Sequence, residues 1–233
     1  MHITTENQTI LALIEFSIRG ELRFLSHAET VRLFQRACGR AGIRLQYSRG
    51  YNPRPKLSLP VPRSVGIETE GDFLCLRVSP LRPPESQLSP EPGVDVDTQC
   101  LRAELAAQLP DGCELISVAL LKAQPSFLPA EAAYELVLIP KHLDYKLKNR
   151  IERILTSESI TLRRRIDAKG SVRNVNVRRF LKSIRTEDER IEVVCRISSA
   201  GSIRVDEILE ILELGYDMLA APISRRSLLL AGA

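Results

Sequence analysis

The sequence predicts an α+β fold of two tandem ferredoxin-like halves, each with a four-stranded antiparallel sheet backed by two helices in the order βαββαβ. The chain has 233 residues, of which 44% are hydrophobic, so it can bury the core of one large or two small domains. A similar rhythm of strands and helices is predicted in both halves. We therefore expect domains at 1–123 and 132–233, joined by a linker at 124–131.

The first half opens with a strand and the clearest helix signal of the chain. Ile10–Ile18 is a run of β-branched and apolar residues, which favours a strand. Ser26 and Glu29 have the spacing of a capping box, in which each side chain bonds the other's backbone N–H. A helix is expected at 26–41, stopped by Gly42. The other elements expected in this half are strands at 43–47, 56–61, 72–79 and 113–121, and a helix at 96–108.

The second half follows a segment that contains Pro125 and Pro129, which mark the domain boundary. Another proline-rich stretch, at 80–92, is expected to be a surface loop. The expected elements of this half are strands at 133–139, 160–166, 191–198 and 226–230, and helices at 142–155 and 205–214, with 175–184 left open.

The composition excludes several classes of protein. The longest apolar stretches, such as 228–231, are far shorter than the ~20 residues of a membrane span. Five cysteines without CxxC spacing, and without a secretory signal, indicate reduced thiols and a cytoplasmic location. Because the three histidines are scattered as well, neither a metal nor another cofactor is expected.

The basic residues are concentrated in two segments, one in each half. Residues 19–63 contain ten basic and two acidic residues, and residues 146–185 contain thirteen basic and three acidic residues. The other 148 residues have a net charge of −14, so the overall charge of +4 conceals a strong polarity. This distribution indicates an anionic partner.

The first basic segment has two features of a binding surface. Arg32, Arg36 and Arg40 recur every four residues and share one helix face, although a solvated face would have the same pattern. In residues 47–56, two prolines and Gly50 stiffen and turn the chain. That loop would display cations beside tyrosine rings, a combination suited to phosphate contacts and base stacking. The alternative is a rigid connection whose tyrosines pack into the core.

The second basic segment predicts a cationic hairpin. Arg163, Arg164 and Arg165 lead into a turn at 167–170, followed by more basic residues that include Arg179. Strand alternation would place Arg163 and Arg165 on one face and Arg164 on the other. Contact with a nucleic acid and a solvated, charge-protected edge strand explain this pattern equally well.

A reaction is not indicated by the motifs. His27 is a weak candidate for an acid or base, because it follows Ser26 at the start of the helix and has Arg23 and Glu29 nearby. P-loop, GxSxG and dinucleotide fingerprints are absent from the sequence. The candidate residues for binding a nucleic acid or another anion are Arg23, Arg32, Arg36, Arg40, Tyr47, Arg49, Tyr51, Asn52, Arg54, Lys56, Arg163, Arg164, Arg165 and Arg179.

Several motifs resemble an uncharacterised bacterial family, the radical-SAM-linked domain of unknown function. They are LRFLSHAE at 22–29, RLFQR at 32–36, AG at 41–42, YSRGYNPRPK at 47–56 and LPVP at 59–62, with weaker similarity at 163–165, 177–179 and 223–226. The resemblance implies a protein fused to, or encoded beside, a radical S-adenosylmethionine (SAM) enzyme with a cobalamin-binding-type domain. It implies no reaction for the domain itself.

Three functions are compatible with these features. The leading hypothesis is a non-catalytic accessory module that binds RNA and works with a radical SAM enzyme. The second is a metal-independent endoribonuclease, since tandem ferredoxin-like halves with a histidine and a basic groove are similar to the repeat-processing RNases of CRISPR systems. The third is a protein–protein adaptor whose basic face is incidental.

Overall fold

The computed structural model describes residues 10–79, 97–121, 127–165 and 170–231. These residues form a mixed α+β structure with a large, mostly antiparallel sheet and four helices. They divide into two compact units. The first takes residues 10–65 and 71–121, and the second takes 66–70 and the described residues of 127–231. Within the described chain, no helix is long and apolar enough to cross a membrane.

The first unit contains two strand–helix–strand segments. Its elements are β1 (Ile10–Ile18), α1 (His27–Arg40), β2 (Leu57–Ser58), β3 (Glu68–Val78), α2 (Thr98–Ala106) and β4 (Cys113–Leu121), with the first residues of β3 in the second unit. The order of its strands across the sheet is β4-β1-β3-β2. Both β1–β4 and β2–β3 pair in antiparallel fashion.

Helix α1 begins and ends as its sequence signals predict. The Ser26 backbone N–H donates to Glu29 at 2.8 Å, and the Glu29 N–H donates to the Ser26 hydroxyl at 3.3 Å. The helix stops before Gly42, whose φ of +68° favours glycine. Phe34 on the buried face meets Phe16 of β1 edge-on, with ring centroids 4.7 Å apart. Because this contact anchors α1 to the sheet, the opposite face with its arginines remains exposed.

The second unit repeats this strand order with an additional hairpin. Its elements are β5 (Leu128–Val137), α3 (Tyr145–Thr156), β6 (Thr161–Arg165), β7 (Val172–Asn176), β8 (Leu181–Glu187), β9 (Arg190–Arg196), α4 (Val205–Leu212) and β10 (Ser224–Ala231). The four strands β10-β5-β9-β8 are neighbours in that order and pair in antiparallel fashion. Strands β6 and β7 form a separate two-stranded sheet.

Several predicted boundaries are wrong. Residues 43–47 do not form a strand. Only Leu45 and Tyr47 of this segment are paired, each in an isolated bridge. The strand expected at 56–61 is reduced to Leu57–Ser58, and β3 begins four residues before residue 72. Residues 128–131, predicted as linker, are the start of β5. The predicted loop at 80–92 lies outside the described residues.

Two predicted strands match the structure at both ends. Ile10–Ile18 and Cys113–Leu121 are β1 and β4. The open segment 175–184 contains the end of β7, a 3-10 turn at Arg178–Phe180 and the start of β8. That mixture explains why its periodicity matches neither a helix nor a strand.

Candidate nucleic-acid interface

The β6–β7 hairpin separates its three consecutive arginines as strand alternation predicts. Arg163 and Arg165 are exposed on one face, whereas Arg164 is half-buried on the other. Arg164 lies directly opposite Arg173 of β7. Two cations at such paired positions repel each other unless a negative group lies close by.

Glu207 of α4 supplies that negative group for Arg164. Its carboxylate accepts two hydrogen bonds from the Arg164 guanidinium, both at 2.6 Å, in a bidentate pair. The exposed fractions of the two side chains are only 13% and 7%. The hydrogen bonds to Glu207 raise the pKa of Arg164, despite its partial burial. Arg164 also donates to the Ser202 carbonyl at 2.8 Å, so its main role is to fasten the hairpin to the start of α4.

Next to this ion pair is a cleft of about 380 Å³. We call it the arginine cleft, and it is lined by Arg164, Arg173, Asn174, Val175, Asn176, Arg179, Ala200 and Arg204. Among the described residues, its lining includes four guanidinium groups and no carboxylate. Glu207 neutralises one of them, which leaves the exposed Arg173, Arg179 and Arg204 at the opening. Asp206, exposed in the first turn of α4, is the nearby acid that also acts on Arg164.

The cleft is held in shape by hydrogen bonds of its lining residues. Arg204 donates its backbone N–H to Glu207 at 2.9 Å and its guanidinium to the Arg165 carbonyl at 3.5 Å. The Asn176 side-chain carbonyl accepts from the Ile160 N–H at 3.1 Å and from the Arg178 N–H at 3.2 Å. The Arg179 guanidinium lies 4.7 Å from the centre of the Phe180 ring. A planar cation stacked on an aromatic ring keeps its edge available for phosphate oxygens.

The loop at 47–56 of the first unit, which we call the tyrosine loop, projects into solvent. Tyr47 pairs with Pro55 across the loop, and the Ser48 N–H donates to the Arg54 carbonyl at 2.8 Å. The exposed fraction is 54% for Tyr47 and 105% for Tyr51. The alternative in which these tyrosines pack into the core is therefore wrong. Asn52, Arg49, Arg54 and Lys56 are exposed as well.

The other candidates in the first unit have different surroundings. Arg32 and Arg36 are exposed on α1, whereas Arg40 donates to the Gln108 side chain at 3.2 Å and to its carbonyl. Arg23 donates to the Gly20 carbonyl at 2.9 Å and lies 4.3 Å from the centre of the Phe24 ring. These bonds hold Arg23 and Arg40 to the fold, so Arg32 and Arg36 are the better-presented cations.

Catalytic groups are poorly represented among the described residues. The Nδ1 atom of His27 is buried and has no hydrogen-bond partner there. Burial raises the pKa of Cys38 to about 11 and that of Cys195 to about 12, so these thiols are neutral near pH 7. All five cysteines are free. The described part of the chain has no group of three or more His, Cys, Asp or Glu side chains that could hold a metal ion.

Three charged contributors to the cleft, Arg173, Arg204 and Glu207, are missing from the candidate residues predicted from the sequence. The separation of Glu207 from Arg164 is 43 residues, so their pairing leaves no local pattern. The local signal that could have pointed to Glu207 is its place as the third residue of α4. There its carboxylate accepts the Arg204 N–H at 2.9 Å, as in a capping box. Arg178 and Lys182, by contrast, are held by the Leu155 carbonyl and by Glu131, both at 2.7 Å.

The sequence model of a bacterial family matches residues 12–205 of the chain. That family is described as an uncharacterized protein conserved in bacteria, DUF2344. The chain belongs to this family. The matched residues include the tyrosine loop, the β6–β7 hairpin and Arg204, so both candidate binding regions lie within the part that defines the family. A search of curated proteins found no match.

Proposed function

We propose that this protein is a non-catalytic accessory module that binds RNA and works with a radical SAM enzyme. The arginine cleft is the observation that carries the proposal. Its three exposed guanidinium groups, of Arg173, Arg179 and Arg204, are not neutralised by a carboxylate of the cleft lining. Guanidinium groups bind phosphate oxygens through paired hydrogen bonds, and phosphate contacts dominate the affinity for nucleic acids.

The topology of the two units supports the proposal. We propose that each is a ferredoxin-like domain, since in each the fourth strand lies beside the first, the first beside the third, and the third beside the second. In both units a cationic connection, the tyrosine loop in the first and the β6–β7 hairpin in the second, lies between the first helix and the second strand of that sheet. Each of the two units would thus present cations to an anion at the same topological position.

The radical SAM partner rests on the resemblance of the motifs at 22–29 and 47–56. An accessory module of this kind would supply affinity for the RNA, while the enzyme would supply the chemistry. Its prediction is that the protein and the enzyme are recovered together from cells, with RNA bound. Recovery of the pair with no RNA would instead favour the adaptor hypothesis.

Salt dependence of RNA binding is the direct test. We would measure the anisotropy of a fluorescent single-stranded RNA over a range of KCl concentrations. Each phosphate contact should add about −0.7 to the slope of log K against log salt, so three contacts predict a slope near −2. Arg173→Ala should weaken binding about threefold to tenfold and make the slope less steep by about 0.7.

Arg190→Ala is the matched control. Arg190 is an exposed arginine of β9 that pairs with Glu135 at 3.1 Å and does not line the cleft. Its replacement should leave both affinity and slope close to those of the original protein. Salt-insensitive or absent RNA binding would overturn the proposed function, and equal effects of the two substitutions would exclude the cleft as the site.

A further inference from the structure

From the geometry of the tyrosine loop we infer that it is a binding site for unpaired bases, in which Tyr51 stacks on one base. This inference rests on the proposed function, and it narrows the substrate class to single-stranded RNA. The loop comprises residues 47–56 of the first unit, whereas the residues of the arginine cleft belong to the second unit.

Hydrogen bonds fix the backbone at the base of the loop. Three hydrogen bonds form a closed ring at its base: Gln46 N–H to Arg77 O at 2.8 Å, Arg77 N–H to Lys56 O at 3.0 Å, and Lys56 N–H to Gln46 O at 2.7 Å. Nearer the tip, the Arg54 N–H donates to the Ser48 hydroxyl at 2.9 Å. The loop is thus tied to β3 at its base, and Ser48 and Arg54 bridge its two sides below the tip.

Tyr51 lies at the tip of the loop and is exposed. Its exposed fraction of 105% means that the ring makes almost no contact with the rest of the chain. Gly50, with φ of +144°, allows the backbone to turn just before it. Because an isolated exposed ring adds nothing to the stability of the fold, both of its faces remain available for a ligand.

The charged residues near Tyr51 in the sequence are all basic. The chain has no Asp or Glu between Glu29 and Glu68, a stretch that contains eight Arg or Lys residues. Arg49, Arg54 and Lys56 are exposed within the loop itself. An aromatic platform in a loop whose charged residues are all cations matches a base attached to a phosphodiester backbone, since the ring stacks on the base while the cations contact the phosphates.

Stacking on Tyr51 would favour single strands over duplexes. In a duplex each base face is covered by its neighbours, whereas the bases of loops and single strands can be splayed out onto an aromatic ring. Tyr51 can therefore stack fully only on an unpaired base. We expect a duplex of the same sequence to bind at least several-fold more weakly than the single strand.

A single tryptophan at position 51 provides the test. The chain has no tryptophan, so Tyr51→Trp creates one emitter at the tip of the loop. Titration of the full chain with a short oligouridylate should quench this emission as the base stacks. The control is Tyr145→Trp at the start of α3 in the second unit, where the original side chain is 69% exposed; its emission should change little.

Affinity measurements complete the experiment. Tyr51→Ala should weaken single-strand binding by about 5-fold to 100-fold, whereas Tyr51→Phe should retain it. A change in RNA anisotropy without quenching of Trp emission at position 51 would overturn the stacking site and leave the proposed function standing. No change in anisotropy at any RNA concentration would overturn both. Quenching by an added protein partner instead of RNA would identify the loop as a protein-docking site and also contradict the inference.

Discussion

The two connections from the first helix to the second strand of the sheet lie within the basic segments and have the same place in the chain order of their units, but they are built differently. In the second unit the connection is a regular hairpin, β6–β7, which is fastened to α4 by the buried pair of Arg164 and Glu207. In the first unit it is the irregular tyrosine loop, which is closed mainly by backbone hydrogen bonds. The β6–β7 hairpin therefore uses the guanidinium of Arg164 to hold its own structure, whereas the cations of the tyrosine loop remain exposed.

This difference shows why a count of charges overstates a binding surface. Among the basic residues of 146–185, several are bound within the fold, such as Arg150 to Glu213, Arg178 to two backbone carbonyls and Lys182 to Glu131. A cation whose N–H groups are engaged in short bonds of this kind has fewer of them left for a phosphate. The sign of a segment indicates a partner, but the contacts of each side chain determine which residues can meet it.

Glu29 and Glu207 have the same local role at the starts of α1 and α4 but different surroundings. Both occupy the third position of a helix and accept the backbone N–H of the N-cap residue, at 2.8 and 2.9 Å respectively. Glu29 is exposed, whereas Glu207 is 5% exposed and bound to Arg164. The same local motif should thus have very different weights in the two units.

Glu207→Ala should have the largest effect. It leaves the guanidinium of Arg164 largely buried without its partner, and removal of one member of a buried pair costs about 3 kcal/mol of the free energy of unfolding. The arginine cleft should lose its shape as well, because Arg164 no longer fastens β6 to α4. Urea unfolding measures the first effect, and RNA anisotropy measures the second.

Two control variants test whether the loss of stability in Glu207→Ala comes from the unpaired buried charge of Arg164. Glu210→Gln, at an exposed position of the same helix, should change stability by less than about 0.5 kcal/mol. The double variant Arg164→Met, Glu207→Leu should be more stable than Glu207→Ala alone, since it leaves no unpaired charge. If the double variant were the less stable one, the pair would contribute more than the avoidance of a buried charge.

The fold was predictable where the signal is local. Strands β1 and β4 follow from continuous apolar and β-branched runs, and α1 follows from Ser26 and Glu29. The site was less predictable, because its geometry depends on residues that are distant in sequence. Arg164 and Glu207 meet only when the hairpin folds onto α4, and the exposure of Tyr51 depends on the ring of hydrogen bonds that ties the loop to β3.

Pro53→Ala should have an intermediate effect. Pro53 is exposed in the tyrosine loop, and its loss gives the unfolded chain more freedom, which lowers the free energy of unfolding by about 0.5 kcal/mol. Exchange of the Ser48 amide should become faster, and single-strand affinity should fall about twofold to threefold as the loop is ordered on binding. The control is Pro110→Ala, an exposed proline outside the loop, which should leave RNA affinity unchanged. An unchanged affinity for Pro53→Ala would show that the stiffness of the loop does not contribute to binding.

Glu29→Gln should have the smallest effect, and its pH dependence is specific. The hydrogen bond from the Ser26 hydroxyl, then that from the Ser26 N–H and the charge of Arg32, hold the pKa of Glu29 below its ordinary value of 4.5. The ionised carboxylate therefore stabilises the folded state above pH 4.5, and this contribution is lost as the pH falls through the lowered pKa. Glutamine keeps the capping geometry but cannot ionise, so Tm should fall by about 1 °C or less at pH 7. The difference should close below pH 4.5 in thermal unfolding curves. A difference that persisted at pH values below the lowered pKa of Glu29 would assign the effect to the shape of the side chain rather than to its charge.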